Sequence, residues 1–170
     1  MGLFYCQPQS QKIILGTIPS YSIVADSAEA TGLKWATPAS GGVTSASARV
    51  ATSQSTTSTS FTDLATSGPA VTLTTGTKAL VIVTSELYNS NTNAYTYMGY
   101  AVSGATTLAA EVNRSLNWRQ GDSADQVIQV SRASVVTLTA GSNTFTAKYG
   151  VGGGTGYFEY RDIFVMDLGS

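Results

Sequence analysis

The feature that most constrains the fold is a regular succession of short β-branched segments, separated by turn residues, that runs from Arg49 to the end of the chain. β-Branched and aromatic side chains suit the pleated surface of a strand, and evenly spaced short strands are typical of a sandwich or barrel. We count about seven or eight such segments, the number expected of an antiparallel sandwich. The sequence therefore predicts an all-β domain.

The composition supports this prediction. Only 11% of the residues are charged, against about a quarter in an average domain, and Ser, Thr, Gly and Ala take their places. A helix surface would favour Glu, Lys, Gln and Arg, whereas Thr and Ser are well tolerated on the solvent face of a strand. The exception is segment 105–125, where Leu108, Val112 and Leu116 fall near helical spacing. We expect a long connection there with a helical turn.

Individual segments predict strand faces and turns. Residues 79–84 are apolar at every position but the last, which indicates a strand covered on both sides, either inside the sandwich or against a neighbouring subunit. Segments 127–131 and 134–138 are predicted as separate strands, with a turn at 141–143 and a glycine-rich hairpin tip at 151–156.

Charge and hydropathy narrow the range of partners. The net charge is -1 and the nine Lys and Arg residues are scattered, so there is no basic surface to neutralise phosphates and nucleic acid is not an expected partner. The chain lacks an apolar run of about 18 residues, which argues against a membrane partner as well. We therefore expect a soluble protein.

The N-terminal region differs from the rest of the chain in its pattern of apolar and polar residues. Residues 1–24 carry two short apolar clusters separated by a polar stretch that contains Pro8, and these clusters are too small to close a core. We predict an extended arm and linker over residues 1–45 and a head domain over 46–170. The residues expected to attach the arm to a partner are Leu3, Phe4, Tyr5, Ile13, Ile14 and Leu15.

Within this region, Leu33 and Trp35 form a short apolar cluster. Tryptophan is costly to leave in water and is enriched at interfaces. We expect these two residues at a subunit interface, with a local packing role for Trp35 as the alternative. Cys6 is the sole cysteine and has no assigned role.

The sequence carries no recognisable catalytic motif. The chain contains no histidine, which removes Ser-His-Asp and Cys-His arrangements and histidine metal sites. Asp122 and Asp125 are better explained as solvated loop residues than as a glycosidase pair. The glycines from Gly150 are followed by an aromatic strand rather than by Lys and a helix, so they do not form a phosphate loop. We expect no enzyme activity, no cofactor and no metal site, leaving open a weak cation at an oligomer axis.

Tyrosines cluster in the segment from Tyr88 to Tyr100. Strand alternation places Tyr95 and Tyr97 on one face of the sheet. With Trp118 and Arg119 they could stack on the sugar rings of a host surface glycan. The alternative is that strand tyrosines fill the edge of a core or a subunit interface. The candidate glycan contacts are Tyr95, Tyr97, Trp118 and Arg119.

Two segments resemble proteins of tailed bacteriophages. "LGTIPSYSIVADSAEATGLKWATPASGG", from Leu15 to Gly42, resembles a segment of phage fibre and virion structural proteins that precedes a C-terminal β domain. "LTAGSNTFTAKYGVGGGTGYFEYRDIFVMDL", from Leu138 to Leu168, is similar to the closing hairpin of jelly-roll domains, distantly like the trimeric heads of complement and tumour-necrosis-factor proteins. Together they cover about a third of the chain.

The resemblance implies a homotrimeric virion protein with a jelly-roll head, made in the host cytoplasm and placed on the particle exterior. Its arm would bind the major capsid protein or another virion protein. Tail fibres of this kind carry a long shaft that this sequence lacks before Val24, so we expect a capsid decoration protein, cement protein or head fibre. The alternative is the receptor-binding tip of a tail fibre.

Overall fold

A computed structural model describes residues 43–169 in full and, before them, the backbone of two strands, β1 (Ser22–Ala25) and β2 (Leu33–Ala36). The chain divides into two compact units, 1–42 and 43–170. In the first unit β1 and β2 pair antiparallel, with Ile23 opposite Trp35. Strand β2 contains both predicted interface residues, Leu33 and Trp35. The predicted attachment residues lie outside the described residues: Leu3, Phe4, Tyr5, Ile13, Ile14 and Leu15.

The second unit is built from nine strands and one short 3-10 helix over residues 43–169. No helix in this described part is long and apolar enough to cross a membrane. The 3-10 helix is Val112–Arg114. The strands are β3 (Ser45–Val50), β4 (Gln54–Thr56), β5 (Ala70–Thr75), β6 (Lys78–Asn89), β7 (Tyr95–Gly104), β8 (Leu116–Arg119), β9 (Ile128–Thr137), β10 (Gly141–Val151) and β11 (Gly156–Gly169).

The strands form two antiparallel sheets. Sheet I has the order β3-β11-β6-β9, with β4 also beside β11, and sheet II has the order β5-β10-β7-β8. From β4 onward every connection passes from one sheet to the other, except that from β7 to β8. Two antiparallel sheets whose strands are exchanged in this way make a jelly roll. The predicted all-β jelly-roll sandwich is confirmed.

Several predicted turns and strand ends were wrong. Residues 152–155 are not a hairpin tip, because β10 lies in sheet II and β11 in sheet I; a glycine-rich turn looks the same whether it joins neighbours or crosses between sheets. The two strands predicted over 127–138 are one, β9. The predicted turn at 141–143 is the start of β10, where Asn143 lies between Leu73 and Gly104.

The predicted long connection over 105–125 holds both the expected helical turn and a strand that was not expected. The turn is the 3-10 helix, which ends at Arg114. Strand β8 follows it and pairs with the first half of β7. Four residues are too few for alternation to be distinguished from helical spacing, so the sequence alone did not reveal this strand.

The core lies between the sheets and follows the two-residue period. Along β6 the inward residues Ala79, Val81 and Val83 have no exposed surface, while Leu80 and Ile82 on the other face are half-buried. Opposite them, sheet II contributes large buried side chains that include Tyr100, Phe145 and Tyr149. Within residues 43–169, therefore, only one face of the apolar stretch 79–84 is fully buried.

Partway along strand β11 the alternation of inward and outward side chains shifts by one residue. Its register against β6 shifts between Glu159 and Asp162, where Tyr160 has a φ of 46°, and such a bulge leaves an extra residue that shifts the alternation. Arg161 is consequently turned into the core and has no exposed surface. Its guanidinium carbon lies 5.4 Å from the centre of the Tyr149 ring, and its Nη2 donates to the carbonyl of Thr52 at 3.1 Å.

Candidate functional site

The outer face of sheet II carries a groove of about 550 Å³. Its floor is formed by outward residues of β7 and β10, namely Tyr97, Ala101, Lys148 and Gly150. One wall consists of residues 59–61 and the other of Ala109, Ala110 and Val112. Volumes of roughly 300 to 1,000 Å³ are typical of small-molecule sites, so the groove is large enough for a ligand.

The first wall is fixed by backbone pairing beside β10. Thr62 and Tyr149 exchange two backbone hydrogen bonds of 2.9 Å, and the amide of Val151 donates to the carbonyl of Ser58 at 2.9 Å. This pairing places Phe61 over Gly99, where a Cβ atom would lie 3.2 Å from the Phe61 ring. A glycine at position 99 therefore lets the ring lie directly on the sheet.

The second wall is held by Arg114. Its guanidinium donates to the carbonyl of Ala109 at 2.5 Å and to the carboxylate of Glu111 at 3.1 Å. Earlier in the same connection, Leu108 exchanges two backbone hydrogen bonds of 2.9 Å with Val102 of β7. These contacts tie the connection between β7 and β8 to the edge of the groove.

Three aromatic rings and one guanidinium run along the outer face, and we call this set the aromatic row: Phe61, Tyr97, Tyr95 and Arg119. The Phe61 and Tyr97 ring centres are 6.3 Å apart. Those of Tyr97 and Tyr95 are 5.8 Å apart with the planes 9° from parallel, and the Arg119 guanidinium carbon lies 5.8 Å from the Tyr95 ring centre. Tyr95 remains 39% exposed, so the row is accessible from solvent.

The structure brings together three of the four predicted glycan contacts, Tyr95, Tyr97 and Arg119. Trp118 does not join them. It lies opposite Thr96, which is fully buried, and packs against the core, because neighbouring residues of a strand face opposite sides. Phe61 and Lys148 were missed, since no local pattern signals that distant segments meet on one face.

Charges around the groove are paired. Lys148 Nζ lies 2.6 Å from Asp63 Oδ2, and Ser67 donates a hydrogen bond to the other oxygen of Asp63 at 3.0 Å. The hydrogen bond from Lys148 lowers the pKa of Asp63, although partial burial opposes the shift. Partial burial, helped by the neighbouring Tyr95, raises the pKa of Tyr97. At neutral pH the Tyr97 hydroxyl is therefore uncharged and able to donate or accept a hydrogen bond.

The outer face of sheet I has a different character. Leu80 lies between Met166 and Val135, and next to it Ile82 lies opposite Phe164. We call these five residues the apolar patch. Val135 is 61% exposed and the other four are half-buried. Further along the same face the rings of Tyr88 and Tyr157 stack with their centres 4.4 Å apart.

Within 43–169, no group of three or more His, Cys, Asp or Glu side chains is placed to hold a metal ion.

No protein-family model matches the chain, and no curated protein sequence matches it. Two solved structures of viral particles are similar. The VP2 subviral particle of infectious bursal disease virus aligns with a TM-score of 0.52 and 10% identity, over 88% of this chain and 38% of VP2. The T=1 particle derived from infectious bursal virus aligns with a TM-score of 0.50 and 11% identity, over 85% of this chain and 36% of that one.

The shared property is the fold. This chain spans little more than a third of the length of the two chains it resembles. At an identity of about one residue in ten, no functional site can be transferred from them to this chain. The relation to tailed bacteriophages stays a prediction of the sequence.

Proposed function

We propose that this protein is a non-enzymatic structural component of a virus particle that decorates or cements the capsid, as a head fibre or decoration protein does. The observation that carries the proposal is the jelly-roll strand order, similar in fold to two solved viral particles. Since a fold by itself does not determine function, the sequence resemblance of residues 15–42 to phage virion proteins is the second support.

We further propose that the protein acts as a homotrimer. The apolar patch is contiguous across three strands, whereas isolated exposed apolar residues are ordinary on a monomer. Covering it with another copy would remove the exposed aliphatic surface of Val135 and its neighbours from water. Leu33 and Trp35 of β2 are proposed as additional interface residues.

Attachment is assigned to the N-terminal arm, with the major capsid protein or another virion protein as the partner on the particle exterior. A 24-residue arm extended at about 3.3 Å per residue would reach roughly 80 Å. Three arms on one trimer would bind with avidity, because after the first contact the others act at high effective concentration. Both apolar clusters would be buried in grooves of the partner.

The test is performed on particles. Deleting residues 1–24, or replacing Leu3, Phe4 and Tyr5 with Ser, should abolish co-sedimentation with particles and leave the melting temperature of the head unchanged. The matched control replaces Gln7, Gln9 and Gln11 with Ala in the polar stretch and should still co-sediment. A truncated protein that remains on particles at the normal level would refute the attachment role.

The aromatic row favours a second candidate function, the receptor-binding tip of a tail fibre. Exposed rings on a sheet surface are suited to adhesion to a host glycan or protein. Immunogold labelling of particles separates the two candidates. Label spread over the capsid supports decoration, and label confined to the tail supports the fibre tip.

A further inference from the structure

We propose that the aromatic row and the adjoining groove on the outer face of sheet II form a binding site for a neutral oligosaccharide. The proposal goes beyond the virion role, because a sugar site is compatible with a place on the capsid or on the tail. It rests on four observations: parallel rings of which Tyr95 is exposed and Tyr97 half-buried, a preformed groove, hydroxyl groups along the groove, and charges that are already paired.

The rings are not needed for the core. The inner face of β7 is filled by Thr96, Met98 and Tyr100, which are buried, whereas Tyr95 and Tyr97 project from the opposite face. A pyranose ring has an apolar face of C–H groups and a rim of hydroxyls. An exposed tyrosine matches this chemistry, since its ring is apolar and its hydroxyl can hydrogen-bond.

The groove leaves room beside the rings. Small residues on its floor, Ala101 and Gly150, create the depth, and Phe61 in the first wall lies next to Tyr97. Thr59 and Ser60 also line the groove and carry hydroxyls suited to the rim of a sugar. The backbone pairing of Thr62 with Tyr149 holds this wall in place before any ligand arrives, which lowers the entropic cost of binding.

Charge pairing selects a neutral ligand. Lys148 is engaged by Asp63, and Arg114 by Glu111, so the cations beside the groove are already neutralised by carboxylates. Arg119 lies at the far end of the row, stacked on Tyr95 and donating to the carbonyl of Asn93, and it does not line the groove. A carboxylated sugar would therefore gain little from the cations beside the groove, because each already has a carboxylate partner.

The experiment uses the full chain on a printed array that holds neutral oligosaccharides of hexoses and N-acetylhexosamines beside sialylated and uronate-containing ones. We expect binding to members of the neutral set. Tyr97→Ala should weaken that binding by on the order of tenfold, the loss expected when one stacked ring is removed. Ala101→Trp, which fills the groove and leaves the row intact, should weaken it similarly.

The matched control is Tyr88→Ala, which removes one ring of the stacked pair on the outer face of sheet I and should leave binding unchanged. Thermal melting of each variant checks that the domain is folded, and retention on particles should be normal for all of them. The proposal is overturned by three results: no binding to any neutral oligosaccharide, binding confined to acidic sugars, or binding that both Tyr97→Ala and Ala101→Trp leave intact.

Discussion

The two outer faces of the sandwich contrast more than the two inner faces. Both inner faces are buried and mostly apolar, with a few polar side chains such as Thr96 and Arg161 among them. Outside, sheet I presents the aliphatic and aromatic side chains of the apolar patch, whereas sheet II presents Thr72 and Thr144, whose hydroxyls are 2.8 Å apart, and the aromatic row at its other end. Folding needs the inner faces, so their chemistry is constrained by the core. The outer faces are free to differ, and their difference points to separate contacts.

The largest expected effect is a loss in the free energy of unfolding when a phenylalanine on an inner face is replaced, compared with one on an outer face. Phe145 is fully buried, so Phe145→Ala should lower the free energy of unfolding by about 3 to 5 kcal/mol. Phe164 on the apolar patch is half-buried, so Phe164→Ala should cost less than about half as much in the dilute protein. Urea denaturation of both variants measures this. Equal losses would show that the patch belongs to the core of the single chain.

A charge placed on each outer face tests whether the apolar patch binds another copy. Ile82→Lys should weaken self-association by about a hundredfold, since it buries an unpaired charge in the interface. Thr146→Lys on the outer face of sheet II is the control and should leave the oligomer intact. Light scattering coupled to gel filtration reports the mass of each. Identical masses for wild type and both variants would argue against the patch as the interface.

A smaller effect is expected at alkaline pH from the buried Tyr149. Burial raises the pKa of Tyr149, although the nearby Arg161 opposes part of the shift. Above about pH 10 the tyrosine ionises in the unfolded chain but stays protonated in the folded one, so unfolding releases a proton and stability falls as pH rises.

Substitution isolates this contribution. Tyr149→Phe loses the 2.7 Å hydrogen bond to the carbonyl of Gly68 and should cost about 1 kcal/mol at neutral pH. It should also show a shallower fall in stability from pH 9 to 11. Tyr97→Phe, on the outer face, should change this slope less, because Tyr97 is only half-buried. An unchanged alkaline slope in Tyr149→Phe would contradict the assignment.

The smallest expected effect concerns the ion pair beside the groove. Lys148 and Asp63 are both partly exposed, so Lys148→Met should cost no more than about 1 kcal/mol, and 1 M NaCl should remove most of the difference from wild type. Because Lys148 lowers the pKa of Asp63, this stability is present above the unfolded pKa of about 3.9 and is lost as pH falls through the lower folded value. A difference that persists at low pH would point to packing instead.

Much of the candidate site followed from the two-residue period. The alternation of β7 placed Tyr95 and Tyr97 together on the outer face, as found. The same rule applied to β8 separates Trp118 from Arg119, but it could not be used because that strand was not recognised. Phe61 joins the row through long-range backbone pairing with β10, and no signal near Phe61 reveals its partner.

The sequence by itself determined the strand class, the approximate strand number and most inward and outward faces, because side-chain alternation is a local property of an extended backbone. Tertiary structure decided which strands pair, so the glycine-rich turn at 152–155 crosses between sheets. It also decided the bulge at Tyr160, which turns Arg161, Ile163 and Val165 into the same core as Phe158 despite their odd spacing. Pairing and register depend on what two distant strands bury together, and that balance is set only when both sheets are assembled.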